Sequence, residues 1–335
     1  MIPDEKQPAV TRALFEAFGV NAYEEIHPMS GGQSSALVFQ IIVEGKPYLL
    51  KIMRVEKISD PTNEFACMKN AANAGIAPWV WYANAEDRVL ITDFVETKPY
   101  PDDVITLIAP VLSKLHSLTG FQKPAMGSYF NTMDGFVRRF QAANLMPESV
   151  TAELFRYYTE LVKVYPNNDA EMVASHNDLK PQNMVFDGER LLLIDWESAF
   201  LNDQYVDLAI VANFFVKDEA DEKRYLETYF GEPPSEYKRA RFYLMCQALH
   251  MFYAAFLMSL ATRAGAQVDA DMTTALGFRE FHRHLISGEI DTLKPDTQVQ
   301  YAKVHMNEAL RNMRTQRFKE AMIQVSNFHA STETT

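Results

Sequence analysis

Two cysteines, Cys67 and Cys246, are too few for a disulfide framework, and they form no zinc-ligand pattern. A reducing cytoplasm is the simplest compartment for such a chain. Basic residues are also short. Lys and Arg number 32 against 44 Asp and Glu, for a formal net charge of -12. That balance disfavours non-specific binding to nucleic acid or to an anionic membrane, and is compatible with a cationic substrate. The segment Met1 to Val20 carries acids and prolines and lacks the apolar core of a signal peptide. There is no internal repeat and no low-complexity tract. One stretch, Phe242 to Thr262, is long and apolar enough to raise the question of a membrane span. Gln247, His250 and Ser259 interrupt it and no second span accompanies it. The expectation is therefore a buried helix and no membrane span.

What is present reads as an ordinary globular protein, with 47% hydrophobic and 23% charged residues. Single cores stop growing near roughly 250–300 residues, so 335 residues imply two lobes. Pro8 to Gly19 has the spacing of a short amphipathic helix, with Leu14, Phe15 and Phe18 on one face. Extended patterns follow at Ser35 to Val43 and Tyr48 to Arg54, joined by the turn signal Glu44-Gly45-Lys46-Pro47. Asp60-Pro61 opens a helix that Gly75 closes. Two more strands are expected near Trp79 to Ala83 and Arg88 to Val95. Beyond the linker Glu96 to Pro101 the pattern turns helical, apart from a β-like island at Met184 to Ile194. The expected domains are an N-lobe over 1–96, a C-lobe over 97–329 and a frayed tail over 330–335.

The chemistry concentrates in Ser175-His176-Asn177-Asp178-Leu179-Lys180-Pro181-Gln182-Asn183. Two apolar runs, Met184 to Phe186 and Leu191 to Ile194, flank an Asp187-Gly188 turn and read as a β-hairpin. If Phe186 faces Leu191, Asn183 lies beside Ile194 and next to Asp195. One neutral oxygen ligand and one carboxylate suit Mg²⁺, a hard cation that also takes phosphate oxygens. Asp178, upstream on the same loop, is placed to orient a hydroxyl nucleophile.

The spacing His176-x-Asp178-x4-Asn183, followed by Asp195, resembles the catalytic loop and metal aspartate of kinases. The N-terminal segment offers further parts in the matching order. In Ser30-Gly31-Gly32-Gln33-Ser34-Ser35, glycine amides and the hydroxyls of Ser34 and Ser35 suit phosphates; a plain hairpin turn is the other reading. Lys51 stands inside the apolar run Tyr48 to Met53, where an unpaired ammonium is costly to bury. It is either a phosphate ligand paired to Glu64 or a lysine on an edge strand. The strand end at Asp93 to Val95 precedes the linker.

These residues resemble the choline/ethanolamine kinase and aminoglycoside phosphotransferase superfamily, from about Tyr23 to Thr262. Ser30-Gly31-Gly32, Lys51, Glu64, His176-Asn177-Asp178, Asn183 and Ile194-Asp195-Trp196-Glu197 carry the likeness. The His-Asn-Asp triplet and Asp-Trp-Glu are similar to bacterial choline kinase-like enzymes. The resemblance implies an α+β, bilobal protein-kinase-like fold: a small antiparallel-sheet N-lobe with one helix and a larger, mainly helical C-lobe. It implies ATP and Mg²⁺ as cofactors, and main-chain contacts from Asp93 and Val95 to adenine. A protein kinase is disfavoured, because too little chain separates Asp195 from Asp207 for an activation loop. The implied partner is a small-molecule acceptor, with no nucleic acid; no oligomeric state follows. Glu197, Tyr253 and Phe256 are candidates for a cationic acceptor, although Tyr253 and Phe256 also read as plain core. Choline, ethanolamine or a related amino alcohol leads; thiamine, an aminoglycoside, or a pseudokinase that only binds nucleotide are the alternatives.

Overall fold

The structure is a computed structural model that describes residues 2–29, 36–53, 61–124, 129–166 and 172–332. The phosphate-loop candidates Ser30, Gly31, Gly32, Ser34 and Ser35 lie outside the described residues. Two compact units emerge: Met1–Lys123 with Met172–Asp207, and Pro124–Glu171 with Leu208–Thr335. The catalytic-loop segment thus shares a unit with the N-terminal sheet, and this division runs elsewhere than the expected lobe boundary at 96/97.

The first unit opens with helix α1 (Gln7–Phe18), followed by strands β1 (Glu25–Pro28), β2 (Leu37–Val43) and β3 (Lys46–Ile52). Helix α2 (Pro61–Asn73) precedes β4 (Val80–Asn84) and β5 (Val89–Asp93). The five strands form one antiparallel sheet in the order β1-β2-β3-β5-β4. Glu44 and Gly45, with φ of 49° and 71°, make the two-residue turn between β2 and β3. Both positive dihedrals match the twist that tight hairpins need, and glycine accepts this one freely. Strand alternation then decides which side chain goes where. Phe39, Ile41, Val43, Leu50 and Ile52 share a core with Val10, Ala13 and Leu14 of α1. Lys51 points to the opposite face, toward α2. Its strand lies between β2 and β5, so the edge-strand reading falls. The face of α1 also needs correction: Leu14 is buried, but Phe15 is 60% exposed.

Helix α3 (Ile105–His116) and four short strands complete this unit: β6 (Met172–Ser175), β7 (Met184–Phe186), β8 (Leu191–Leu193) and β9 (Phe200–Asp203). Strands β7 and β8 form the expected hairpin, with Phe186 opposite Leu191. The Ile194 N–H donates to the Asn183 carbonyl at 2.9 Å, which sets Asn183 beside Asp195 at the open end. The β6–β9 pair was not anticipated.

The second unit is helical: α4 (Tyr129–Ala143), α5 (Glu148–Val164), α7 (Glu219–Phe230), α8 (Glu236–Arg263), α9 (Phe278–Ile286), α10 (Pro295–Met313) and α11 (Gln316–Thr332). Helix α6 (Gln204–Phe215) starts at the end of the first unit and continues into the second. Among the described residues α8 is the one helix long and apolar enough to cross a membrane, yet 72% of its most apolar window is buried inside the protein. It is the core helix of its unit, as expected. Helix α11 reaches Thr332, three residues into the segment read as a tail.

Candidate active site

Three charged side chains from three separate segments meet in the first unit. The Lys51 ammonium on β3 donates to Glu64 Oε1 of α2 at 3.0 Å and to Asp195 Oδ1 at 3.2 Å. Lys51 and Glu64 are nearly buried, while Asp195 is more open. Burial alone would lower the lysine pKa; the attraction of Glu64 and Asp195 outweighs it and holds the ammonium above its ordinary value. For Glu64, burial wins in the other direction. It raises the carboxyl pKa against the pull of Lys51, with Asp195 and Glu197 adding to the rise. Lys51 is therefore a cation held between two anions, one of them accessible to solvent.

The segment that begins at His176 is held through its backbone. Asp207 accepts from the backbone N–H groups of His176 at 2.8 Å and Asn177 at 2.7 Å, and His116 sits 3.3 Å from the same carboxylate. His176 contacts the Ile194 carbonyl at 2.9 Å, which ties the loop to the hairpin. Asn177 adopts a φ of 66° and Asp195 a φ of 65°. A left-handed non-glycine backbone is uncommon, tolerated by Asn and Asp, and concentrates where geometry serves function. The Asn177 amide donates to the Ser198 carbonyl at 2.9 Å and accepts from Asn202 Nδ2 at 2.6 Å. It thereby joins the loop to the chain just beyond Asp195.

The donors around Asp178 decide which of its atoms remains for chemistry. Its Oδ2 accepts from Lys180 Nζ and from Asn183 Nδ2, each at 2.8 Å. Oδ1 receives neither of these two bonds. Asn183 Nδ2 also reaches the Asp178 carbonyl at 2.8 Å. With both amide hydrogens engaged, Asn183 Oδ1 turns away from Asp178. That oxygen and the Asp195 carboxylate are hard donors of the kind Mg²⁺ prefers, so the donor set fits this ion.

The remaining candidates divide. Asp93 ends β5, and Val95 is half-buried in the extended segment that follows. Glu197 is exposed, close enough to Glu64 to influence its ionisation. Tyr253 and Phe256 belong to the second unit, on the half-buried face of α8. Tyr253 stacks on His305 at 5.2 Å, and Phe256 packs edge-on against Phe136 at 5.7 Å. A cavity of about 470 Å³ lies between α4 and α5, lined by Phe140, Met146 and Phe155; no expected site residue lines it. The sequence reading assigned no role to Asn202 or to Trp81. Asn202 acquires one through the β6–β9 pairing, whose four-residue strands carry no clear alternation.

Residues 25–243 match the family model described as a phosphotransferase enzyme family. The chain belongs to that family. Protein LicA of Haemophilus influenzae is 25% identical over 248 residues, 70% of this chain and 71% of that protein. A choline/ethanolamine kinase family protein from Mesorhizobium loti has a similar structure, with a TM-score of 0.65, 18% identity, and coverage of 96% of this chain and 99% of the other. Choline kinase LicA from Streptococcus pneumoniae gives 0.55 at 17% identity, covering 85% and 99%. The fold is the bilobal, α+β protein-kinase-like one, with β1–β5 as the small sheet and the helices from α6 onward as the larger part. This phosphotransferase belongs to the choline/ethanolamine kinase and aminoglycoside phosphotransferase superfamily and is ATP-dependent.

Proposed function

We propose that this phosphotransferase moves the γ-phosphate of ATP to a hydroxyl of a small cationic metabolite, with choline or ethanolamine the first candidates. The observation that carries the reading is the convergence of Lys51, Glu64 and Asp195, with Asn183 brought beside Asp195 by the hairpin. Lys51 holds the α- and β-phosphates, kept in place by Glu64. Asn183 Oδ1 and Asp195 hold Mg²⁺, which when bound neutralises phosphate charge. Asp93 and Val95 offer main-chain groups to adenine, and the sequence Ser30 to Ser35 offers amides and hydroxyls to phosphate. Asp178 Oδ1 orients the acceptor hydroxyl and takes its proton late in transfer. Catalysis then rests on positioning and charge stabilisation rather than on a covalent intermediate.

For the acceptor, the net charge of -12 and exposed Glu197 favour a cation. Both cysteines are buried and free, in keeping with a cytoplasmic setting. ADP release measured over choline, ethanolamine, thiamine and an aminoglycoside tests the reading. Turnover with choline or ethanolamine well above the others is the expected result. ADP formed without a phosphorylated acceptor rejects it.

A further inference from the structure

Two of the three tryptophans, Trp79 just before β4 and Trp81 on it, have 47% and 41% of their surface exposed. They are not core residues, and none of the roles above uses them. Strand pairing shows how they are placed. Val80 pairs with Thr92 and Tyr82 with Ile91, so Trp81 is the extra residue of a β-bulge. Bulges bend a strand locally and re-aim a side chain, often beside an active site. Here the indole is aimed at the last residue of β5: Trp81 Nε1 donates to Asp93 Oδ1 at 2.7 Å. The Asp93 N–H donates to the Trp79 carbonyl at 2.9 Å. The backbone of Asp93 is therefore fastened to Trp79 and its side chain to Trp81 of β4. Its carbonyl accepts the Thr92 hydroxyl at 3.1 Å.

The indole is in turn held from behind. The Phe18 ring, at the end of α1, lies 4.5 Å from Tyr48 and 5.4 Å from Trp81, and Tyr48 meets Trp81 edge-on at 5.7 Å. Tyr48 is also the strand partner of Asp93. Helix α1 precedes the residues 25–243 that match the family model.

We infer that Trp81 and Phe18 are positioning residues for the nucleotide base: they hold Asp93 so that the main chain from Asp93 to Val95 meets adenine with little left to order. The inference rests on the kinase reading. Fixing a binding segment in advance saves the ordering cost at the moment of binding. The saving falls on the base alone, because the phosphates are held elsewhere, by Lys51 and the metal ligands.

Two probes separate those halves of the nucleotide: adenosine, and inorganic tripolyphosphate with Mg²⁺, each titrated into the full chain by calorimetry. Trp81→Phe keeps a ring in the cluster and deletes the N–H donor. It is expected to weaken adenosine roughly three- to tenfold, within the range for losing one ordinary hydrogen bond. Tripolyphosphate affinity stays unchanged, and KM for ATP rises by the same factor at unchanged kcat. Asp93→Ala, which removes the accepting carboxylate, copies Trp81→Phe. The double variant Trp81→Phe/Asp93→Ala is no weaker than either single one. Phe18→Leu shifts adenosine in the same direction by a smaller factor. Unchanged adenosine affinity in Trp81→Phe overturns the inference, as does an equal loss of both probes, which would mark a general loss of folding. Wild-type protein that binds tripolyphosphate but not adenosine overturns the brace alone. Wild-type protein that binds neither overturns the kinase reading and the brace with it.

Discussion

Both units bury ionisable groups, and one cluster in each shows an opposite way of doing it, although the second unit also pairs buried Lys303 with Asp269. In the first unit the buried groups are charged and paired: Lys51 with Glu64 and Asp195, and Asp207 with two backbone N–H groups. In the second, three histidines are buried and neutral. His250 on α8 lies 3.0 Å from His305 on α10, nitrogen to nitrogen, and His282 on α9 meets the Tyr301 hydroxyl at 2.8 Å. Burial pushes His250 and His282 each down to about 3, and His305 also well below its ordinary value. The contrast teaches where ligand chemistry belongs. Charges held by exchangeable partners can trade one of them for a phosphate or a metal ion. Imidazoles among aromatic rings have no charge to trade, and act as packing.

The sharpest way to break the comparison is at Asp178. In Asp178→Asn one oxygen must still face Lys180 and Asn183, so the amide NH₂ replaces Oδ1 on the acceptor side. A donor then stands where a base is needed. Turnover is expected to fall about 10²–10⁴-fold, while Mg·ATP affinity stays near wild type. Calorimetry beside single-turnover kinetics checks this. Near-normal turnover with collapsed nucleotide binding would remove Asp178 from the acceptor role.

That asymmetry of function was legible where residue type and local pattern coincide. The Asp187-Gly188 turn between two apolar runs was enough to pair Phe186 with Leu191, and hence to bring Asn183 to Asp195. Lys51 stood out because a cation inside an apolar run demands a partner. What stayed hidden depends on pairing between distant segments. The bulge at Trp81 exists only relative to β5, and the bridge from Asn177 to Asn202 only once β9 lies beside β6. Phe15 was misplaced because helical spacing gives a face but not its edges. Lys303, fully buried against Asp269, Asp271 and Thr274, was invisible, since lysines are usually exposed.

A smaller effect tests whether the charges of the first unit are a closed set. Lys51→Ala leaves Glu64 buried without its cation. Stranding a buried charge costs several kcal/mol, but burial already raises the Glu64 pKa, so proton uptake offsets part of that cost. The expected loss of stability is about 2–3 kcal/mol at neutral pH. Adding Glu64→Gln should recover about half of it, because a neutral amide needs no counter-charge. Denaturant unfolding of the two variants decides the matter. If the double variant is as unstable as the single one, the loss comes from packing and not from a stranded carboxylate.

The second unit responds to acid instead. A histidine held well below its ordinary value of 6.5 binds its proton more readily in the unfolded chain than in the folded one. Unfolding then takes up protons as pH falls. The stability of the neutral imidazole is complete above about 6.5 and drains away toward pH 3, the folded value of His250 and His282. The nearby charges do not rescue it, since Arg279 and Arg311 are cations and push the same way. Between pH 6.5 and 5 each such histidine is expected to cost about 2 kcal/mol. His282→Gln keeps a hydrogen-bonding group for Tyr301 and removes the titration. Its unfolding free energy is lower than wild type at pH 7.5 but falls less steeply toward pH 5, by the slope of one proton. Parallel pH profiles for variant and wild type would mean that His282 titrates alike in both states, and that the second unit does not hold its imidazoles neutral.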